Sequence, residues 1–201
     1  MQRSQVNIKI VVFSVIGDKL KVFLENNKLP NEIYNENSTL DKSASLVFNK
    51  KINHSTSNIY FEQLYTISQR KELKDEIDII YYFLLPEHKI YSNLDNWYAI
   101  DGIKSDKNDR EVILYAVQRV RWKIEYTNVV YSLLPAEFTF SQLQSTYESI
   151  LDRILDKRNF RKKIVSLNII KPTGHIKNVG PARPAEMFSF KEKKLNFVKI
   201  L

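Results

Sequence analysis

The amino-acid sequence predicts an α+β fold of two domains, and three observations support this prediction. Strand-like segments dominate the first half of the chain, two closely spaced helices are expected between residues 139 and 168, and two short strands follow them. Of the 201 residues, 43% are apolar and 27% are charged, which is typical of a folded globular chain. At about 100 to 200 residues per domain the length suits one or two domains, and we assign residues 1–126 to one domain and residues 127–201 to a second.

The N-terminal domain is predicted to begin with a β-hairpin. Val6–Ile16 and Lys19–Leu24 are rich in Val, Ile and Phe, and Gly17-Asp18 between them suits a two-residue turn that needs positive φ. The polar stretch Glu25–Asn37 is expected to be an exposed loop. Apolar residues at helical spacing then predict a short helix over Leu40–Ile52.

Further strands and a long helix complete this domain. Ile59–Ile67 and Ile77–Leu85 have the composition of strands, and the second is nearly all apolar, which is typical of a central strand. Apolar residues recurring at steps of three and four predict a helix over Asp109–Tyr126, with Asn108 as its N-cap. In the second domain, Val129–Leu134 is predicted to be a short strand.

The C-terminal domain contains the clearest local signals. Thr139 and Gln142 have the spacing of a capping box, which predicts a helix with the apolar stripe Phe140, Leu143, Tyr147, Ile150 and Ile154. Asp156 can cap a second helix that ends near Asn168. Ile169–Lys171 and Glu186–Phe190 then suit two strands. Two helices followed by a hairpin are the plan of a winged helix-turn-helix.

Positive charge is concentrated in the second half of the chain. Residues 1–107 hold 14 Lys and Arg against 14 Asp and Glu, whereas residues 108–201 hold 17 against 9. Within residues 153–199, 13 basic side chains stand against 3 acidic ones. This asymmetry favours contact with a polyanion such as nucleic acid. A surface that is basic only for solubility is the alternative.

The second helix carries the candidate DNA contacts. Recognition in the major groove needs donors that reach base edges and neighbouring cations that hold phosphates. Arg158, Arg161 and Lys162 suit base contacts from the exposed face of this helix. Contacts to phosphates or to the minor groove are expected from the other cations of the domain: Lys157, Lys163, Lys171, His175, Lys177 and Arg183. A solvated helix face is the competing interpretation.

Signals of catalysis are weak. The three histidines, His54, His88 and His175, share no metal-ligand spacing, and all three are expected in loops. The sequence has no P-loop, dinucleotide-binding or nucleophile-elbow motif. Glu62, which precedes Gln63, either lines a polar pocket or lies on the outward face of a strand. We therefore predict no catalytic residue, no metal site and no cofactor.

Two absences limit the cellular context. The chain has no cysteine, which excludes disulfides and thiolate metal sites and suits a cytoplasmic protein. The longest apolar run, Ile79–Leu85, has seven residues, whereas a membrane helix needs about 20. We expect a cytoplasmic protein with no membrane contact.

Five segments along the chain have the pattern of one known family: Y-F-E-Q-L-Y-T from Tyr60, L-L-P-A-E-F-T-F-S-Q-L-Q from Leu133, D-K-R-N-F-R-K-K from Asp156, K-P-T-G from Lys171 and R-P-A-E-M-F-S-F from Arg183. Through them the chain resembles the bacterial Nudix-related transcriptional regulators, the NrtR-like family. It implies an N-terminal Nudix-like α/β/α sandwich that senses an effector and a C-terminal winged helix-turn-helix. It also implies a homodimer on a palindromic operator in double-stranded DNA. Family effectors include ADP-ribose or related nucleotides, and sugars such as arabinose.

The motif of active Nudix hydrolases is degenerate in this sequence. That motif reads G-x5-E-x7-R-E-U-x-E-E-x-G-U, with U aliphatic, and its glutamates hold magnesium. An alignment from Leu40 places Leu46 and Val47 at Arg-Glu, and Lys50 and Lys51 at Glu-Glu. Ammonium groups repel the required cation, so we predict a chain that is not an enzyme.

Two other functions remain open from the residues alone. One is a divergent Nudix hydrolase that acts on a nucleoside diphosphate derivative. The other is a nucleic-acid or protein interaction module without operator specificity. The ligand-binding residues, the operator and the regulated genes are not predicted by the sequence.

Overall fold

The structure is a computed structural model that describes residues 5–71, 74–91, 94–178 and 184–201. The chain divides into two compact units. The first unit contains Met1–Ser14, Lys21–Leu85 and Lys89–Ala116. The second contains Val15–Leu20, Pro86–His88 and Val117–Leu201. Among the described residues, no helix combines the length and the apolar composition needed to cross a membrane.

A mixed sheet organises the first unit. Its six strands among the described residues are β1 (Gln5–Ile16), β2 (Lys19–Phe23), β3 (Asn31–Ile33), β4 (Tyr60–Lys71), β5 (Lys74–Leu84) and β6 (Trp97–Ala99). The strand order is β4-β5-β1-β2-β6, and β3 pairs with β1. β5 runs parallel to β1 and antiparallel to β4, so its predicted central position is confirmed.

The turn between β1 and β2 has the predicted conformation. Gly17 has φ of 56° and Asp18 has φ of 58°. Both values lie in the left-handed region, which glycine and aspartate adopt more readily than other residues, and a two-residue hairpin turn of this kind matches the twist of its strands.

Two helices belong to or begin in the first unit. α1 (Leu40–Ile52) is capped by the Thr39 side chain and has the predicted bounds. α2 (Lys107–Tyr126) begins earlier than predicted. Asn108 lies inside this helix, and the Asp106 carboxylate instead accepts a hydrogen bond from the Asp109 N–H at 2.9 Å. The predicted N-cap at Asn108 is therefore wrong.

Two further local predictions are wrong. The stretch Glu25–Asn37 contains β3, and within it Leu29 is almost fully buried, so it is not a simple exposed loop. Val129–Ser132 forms a 3-10 helix with buried valines instead of a strand. Residues distant in sequence contact both stretches: the Asp109 carboxylate accepts from the Leu29 N–H at 2.7 Å, and the Tyr131 ring meets the Phe190 ring edge-on.

The second unit contains the helix–helix–hairpin arrangement. It comprises β7 (Phe138–Thr139), α3 (Phe140–Leu151), α4 (Lys157–Ser166), β8 (Ile170–Lys177) and β9 (Ala185–Phe190). The three strands form an antiparallel sheet in the order β7-β9-β8. β8 is longer than predicted because it continues through a bulge between Pro172 and Ile176, where Gly174 has φ of 81°.

Both predicted helix caps of this unit are confirmed. The Thr139 hydroxyl accepts from the Gln142 N–H at 3.1 Å, and the Gln142 side chain accepts from the Thr139 N–H at 2.8 Å. The Asp156 carboxylate accepts from the Asn159 N–H at 2.8 Å. α3 ends at Leu151, so Ile154 does not continue its apolar stripe and is 93% exposed.

An aromatic core holds these elements together. The Phe160 ring of α4 packs edge-on against Phe140 and Tyr147 of α3. Phe140 also meets Phe188 of β9 edge-on. Since four buried rings fix α4 against α3 and the sheet, they also determine which face of α4 is left to solvent.

Candidate nucleic-acid interface

The exposed face of α4 is strongly basic. Phe160 and Ile164 are its buried side chains, and every other position except Lys163 is exposed. Lys163 is half-buried. The other four candidate cations of this helix are exposed: Lys157, Arg158, Arg161 and Lys162. A cationic helix with no acidic residue of its own is suited to contact a polyanion.

The candidate cations of α4 do not share one environment. Arg158 and Lys162 are one turn apart, and with Val165 they form a row at positions i, i+4 and i+7. At 3.6 residues per turn these three side chains fall within an arc of about 60°, opposite the buried pair Phe160 and Ile164. We name Arg158, Lys162 and Val165 the central row.

Arg161 lies at the flank of the central row. Its guanidinium carbon is 4.7 Å from the centre of the Phe140 ring and 5.9 Å from that of Phe188. A guanidinium over aromatic faces is attracted by their electron density, which orients Arg161 along the aromatic core. A cleft of about 550 Å³ adjoins it, and its lining combines the rings of Phe140 and Phe188 with polar side chains that include Lys157 and Glu186.

The hairpin of β8 and β9 supplies further cations. Lys171 and Lys177 are exposed on β8, opposite Ser189 and Ala185 of β9. His175 lies on the same strand and not in a loop as predicted, and its Nδ1 is 2.9 Å from the Glu137 Oε2. The Glu137 carboxylate therefore competes with any phosphate for this imidazole. The candidate Arg183 lies outside the described residues.

Sequence reasoning missed three features of this surface. It overlooked Val165, which is 57% exposed, although the i+7 spacing indicates that Val165 and Arg158 lie on the same face of the helix. It also missed the rings beneath Arg161 and the Glu137 partner of His175. Glu137 and His175 are 38 positions apart in sequence, so no local pattern indicates their contact.

The helix that aligns with the Nudix motif, α1, has paired cations. Lys50 Nζ is 2.7 Å from the Glu32 Oε1, and Lys51 Nζ is 2.6 Å from the Glu25 Oε2. The hydrogen bond from Lys50 holds the pKa of Glu32 below its usual value, and the hydrogen bond to Glu25 raises the pKa of Lys51. The two ammonium groups are thus neutralised by carboxylates of the segment before α1.

Among the described residues, the other motif positions on α1 and the neighbouring acidic groups do not assemble a metal site. Leu46 is 54% exposed and Val47 is buried. Within the part of the chain that the structure describes, no group of three or more His, Asp or Glu side chains could hold a metal ion.

Glu62 belongs to a polar cluster on β4 and β5. Its carboxylate accepts hydrogen bonds from the hydroxyls of Tyr60 at 2.6 Å and Tyr82 at 2.7 Å. Tyr82 is fully buried, and burial raises the pKa of its hydroxyl well above the usual value. Glu62 is half-buried, so its carboxylate serves as an internal acceptor for these two tyrosines.

Comparisons with known proteins agree with this geometry. Residues 130–190 match the family model described as the NrtR DNA-binding winged helix domain. The ADPR responsive transcriptional repressor NtrR of Acinetobacter baylyi is 29% identical over 154 residues. That match covers 71% of this chain and 61% of the repressor, so this chain spans less than two thirds of its relative.

Solved structures show the same fold. Shewanella oneidensis NrtR, in a crystal structure with a 27mer DNA, aligns with a TM-score of 0.78 at 21% identity and covers 92% of this chain and 93% of its own. A MutT/nudix family protein from Enterococcus faecalis aligns with a TM-score of 0.70 at 18% identity, over 95% of this chain and 88% of its own. The predicted combination of a Nudix-like domain and a winged helix is confirmed.

Proposed function

We propose that this NrtR-like chain, whose residues 130–190 form a winged helix of the NrtR DNA-binding type, is a transcriptional regulator that binds double-stranded DNA. The observation that carries the proposal is the exposed basic face of α4, held outward by the aromatic core. Its curated relative is a repressor, and we propose repression for this chain as well. A protein that binds chromosomal DNA in this way acts in the bacterial cytoplasm.

We assign the residues of the second unit to two kinds of DNA contact. Arg158 and Lys162 in the central row are placed to reach base edges in the major groove. Arg161, which is oriented by Phe140 and Phe188, is better placed for the phosphate backbone together with Lys157. Half-buried Lys163, the exposed Lys171, His175 and Lys177 of β8, and Arg183 complete the proposed backbone contacts.

A homodimer on a palindromic operator follows from the same proposal. Two-fold symmetry in the protein matches two half-sites in the DNA, and each winged helix then reads one half-site. We place the functional boundary after residue 126, since α2 ends at Tyr126 and the winged-helix match begins at residue 130. Residues 1–126 then form the effector domain.

The effector is proposed to be ADP-ribose or a related nucleotide, the ligand class in the name of the repressor from Acinetobacter baylyi. A sugar such as arabinose is the competing effector. Either ligand changes DNA binding only if it binds the DNA-bound and free conformations with different affinities.

We propose that the Nudix-like domain does not hydrolyse its ligand. Magnesium-dependent cleavage of a diphosphate needs several carboxylates on one metal centre. At the aligned positions α1 presents Leu46, Val47, Lys50 and Lys51 instead, and both lysines are already paired with glutamates. Full-length protein incubated with ADP-ribose and Mg²⁺ should release no AMP, and AMP release that rises with protein concentration would establish the hydrolase instead.

Fluorescence anisotropy of the full-length protein tests the regulator. The titrations use DNA from upstream of its own and neighbouring genes, scrambled DNA and single-stranded RNA at physiological salt, each with and without ADP-ribose or arabinose. We expect one fragment to bind about a thousandfold more tightly than scrambled DNA. Equal, salt-sensitive binding to every duplex, or a preference for RNA, would instead indicate an interaction module.

A matched charge reversal tests the surface. Lys162→Glu should abolish specific binding, because it places a carboxylate in the centre of the exposed face of α4. Lys107→Glu at the start of α2 changes the net charge equally, and its side chain is 89% exposed in the first unit. Equal losses from the two variants would show that net charge, and not α4, determines binding.

A further inference from the structure

Val165 is an exposed aliphatic residue in a basic environment. It is 57% exposed on α4, whereas Phe160 and Ile164 of the same helix are buried against the core. The exposed part of the Val165 side chain contributes no hydrophobic free energy to folding, because it is not buried within this chain. Its branched side chain also lacks the helix propensity that would favour it over alanine at a surface position.

The position of Val165 connects it with the DNA contacts of the proposed function. It belongs to the central row with Arg158 and Lys162, opposite the buried face of α4. At a rise of roughly 1.5 Å per residue, Val165 lies about 10 Å along the helix from Arg158. That distance corresponds to about three base-pair steps in DNA, for which the spacing is about 3.4 Å.

We propose that Val165 reads a thymine by contacting its C5-methyl group in the major groove, an inference that rests on the proposed function. Among the standard bases only thymine carries this methyl group, which is the apolar group that an A·T base pair presents in the major groove. A valine side chain has no donor for phosphates or for base acceptors, so an apolar group is its matching contact. The central row then combines donors at Arg158 and Lys162 with one methyl contact at Val165.

The identity of Val165 therefore contributes specificity in addition to affinity. Lys162 and Arg158 attract any duplex through charge, but a methyl contact distinguishes thymine from uracil and cytosine, which lack the methyl group. The expected thymine lies about three base pairs from the base that Arg158 contacts.

The test begins with the full-length protein and a library of randomised duplex DNA. Repeated selection yields the preferred duplex. Each thymine of this duplex is then replaced by deoxyuridine, which removes the methyl group alone, in both half-sites together. Anisotropy titrations give the affinity of each duplex for the wild type and for Val165→Ala, Val165→Ile and Ile154→Ala.

We expect one thymine position at which deoxyuridine weakens wild-type binding about fourfold per half-site, the factor expected for one buried methyl group. Val165→Ala should bind the thymine and deoxyuridine duplexes equally, and Val165→Ile should restore the difference. Ile154→Ala removes an aliphatic side chain that is 93% exposed in the turn before α4, and it should retain the full difference.

The outcomes separate this inference from the proposed function. A selected duplex without any thymine that depends on Val165 overturns the methyl contact and leaves the regulator intact. Selection that enriches no sequence overturns the proposed regulator, and the methyl contact is rejected with it. Loss of thymine dependence in Ile154→Ala as well as in Val165→Ala would also overturn the assignment to Val165. Circular dichroism of each variant confirms that the fold is retained.

Discussion

The Lys9→Met substitution removes an ammonium group from the interior of the first unit and retains most of the aliphatic stem. Lys9 Nζ lies 2.9 Å from the Asp109 Oδ1 and 3.1 Å from the Asp78 Oδ2. The Asp109 Oδ2 also accepts from the Leu29 N–H at 2.7 Å, and the Asp78 Oδ1 accepts from the Asn7 amide at 2.9 Å. The substitution therefore leaves two anchored carboxylates without their cation.

The structure indicates a large effect on stability. The side chains of Lys9, Asp78 and Asp109 are 12%, 17% and 6% exposed, so solvent compensates little for a lost partner. Breaking a buried ion pair from one side costs about 3 to 5 kcal/mol. For a chain of this size the melting temperature should fall by about 6 to 20 °C.

Lys50→Met is the matched control. The pair of Lys50 with Glu32 is 67% and 35% exposed, and a surface pair of this kind contributes at most about 1 kcal/mol. The chain has two tryptophans, and a Trp122→Phe background leaves Trp97, which is 5% exposed in the first unit, as the fluorescent reporter of urea unfolding. Equal losses of unfolding free energy in the two methionine variants would refute the reasoning.

The pH dependence gives an independent check on Lys9. Burial by itself lowers the pKa of Lys9, but hydrogen bonds and charges from Asp109 and Asp78 outweigh it and hold the pKa above its ordinary value of 10.5. The raised pKa means that the folded state holds this proton more tightly than the unfolded state. The difference in unfolding free energy between wild type and Lys9→Met should therefore be constant between neutral pH and about pH 10 and fall as the pH rises further.

Three further predictions concern the second unit. Arg158→Ala should lower the affinity for the selected duplex by about 1 to 3 kcal/mol and relax the preference at one base pair, whereas Lys171→Ala should weaken all duplexes and reduce the salt slope by about 1 in anisotropy titrations. Thr139→Ala should cost about 1 kcal/mol or more in thermal unfolding, because it removes one half of a capping box, and Thr39→Ala, a cap with a single 3.3 Å bond, should cost less. Tyr147→Phe should be neutral or stabilise by about 1 kcal/mol in urea unfolding, because its buried hydroxyl has no hydrogen-bond partner among the described residues.

Elements with a complete local signal were predictable from the sequence. The turn at Gly17-Asp18, the bounds of α1 and the caps at Thr139 and Asp156 depend on residues within a few positions of one another. The hydrogen bonds that stabilise these elements form within the same short segment, so the local sequence is sufficient to predict them. This is why the sequence alone predicts the winged helix.

Elements that depend on distant partners were not predictable. Val129–Ser132 has the composition of a strand, but it forms a 3-10 helix in which the Tyr131 ring packs edge-on against Phe190 of β9. β3 pairs with β1 across more than twenty positions of sequence, and its polar residues carry no strand pattern. Likewise, the partners of Lys50 and Lys51 precede α1 and pair with it only after the fold has formed.

The contact of Arg161 with Phe140 and Phe188 distinguishes this residue from the other basic residues of α4. The sequence presents Arg158, Arg161 and Lys162 as equivalent donors on one helix. The two rings belong to the core that fixes the orientation of α4, so the interaction that stabilises the fold also holds Arg161 at the flank. A guanidinium held there must leave the rings before it can reach a base edge in front of α4. Under the proposed function, we therefore expect specificity to depend on the central row and the flank to contribute charge that any duplex can use.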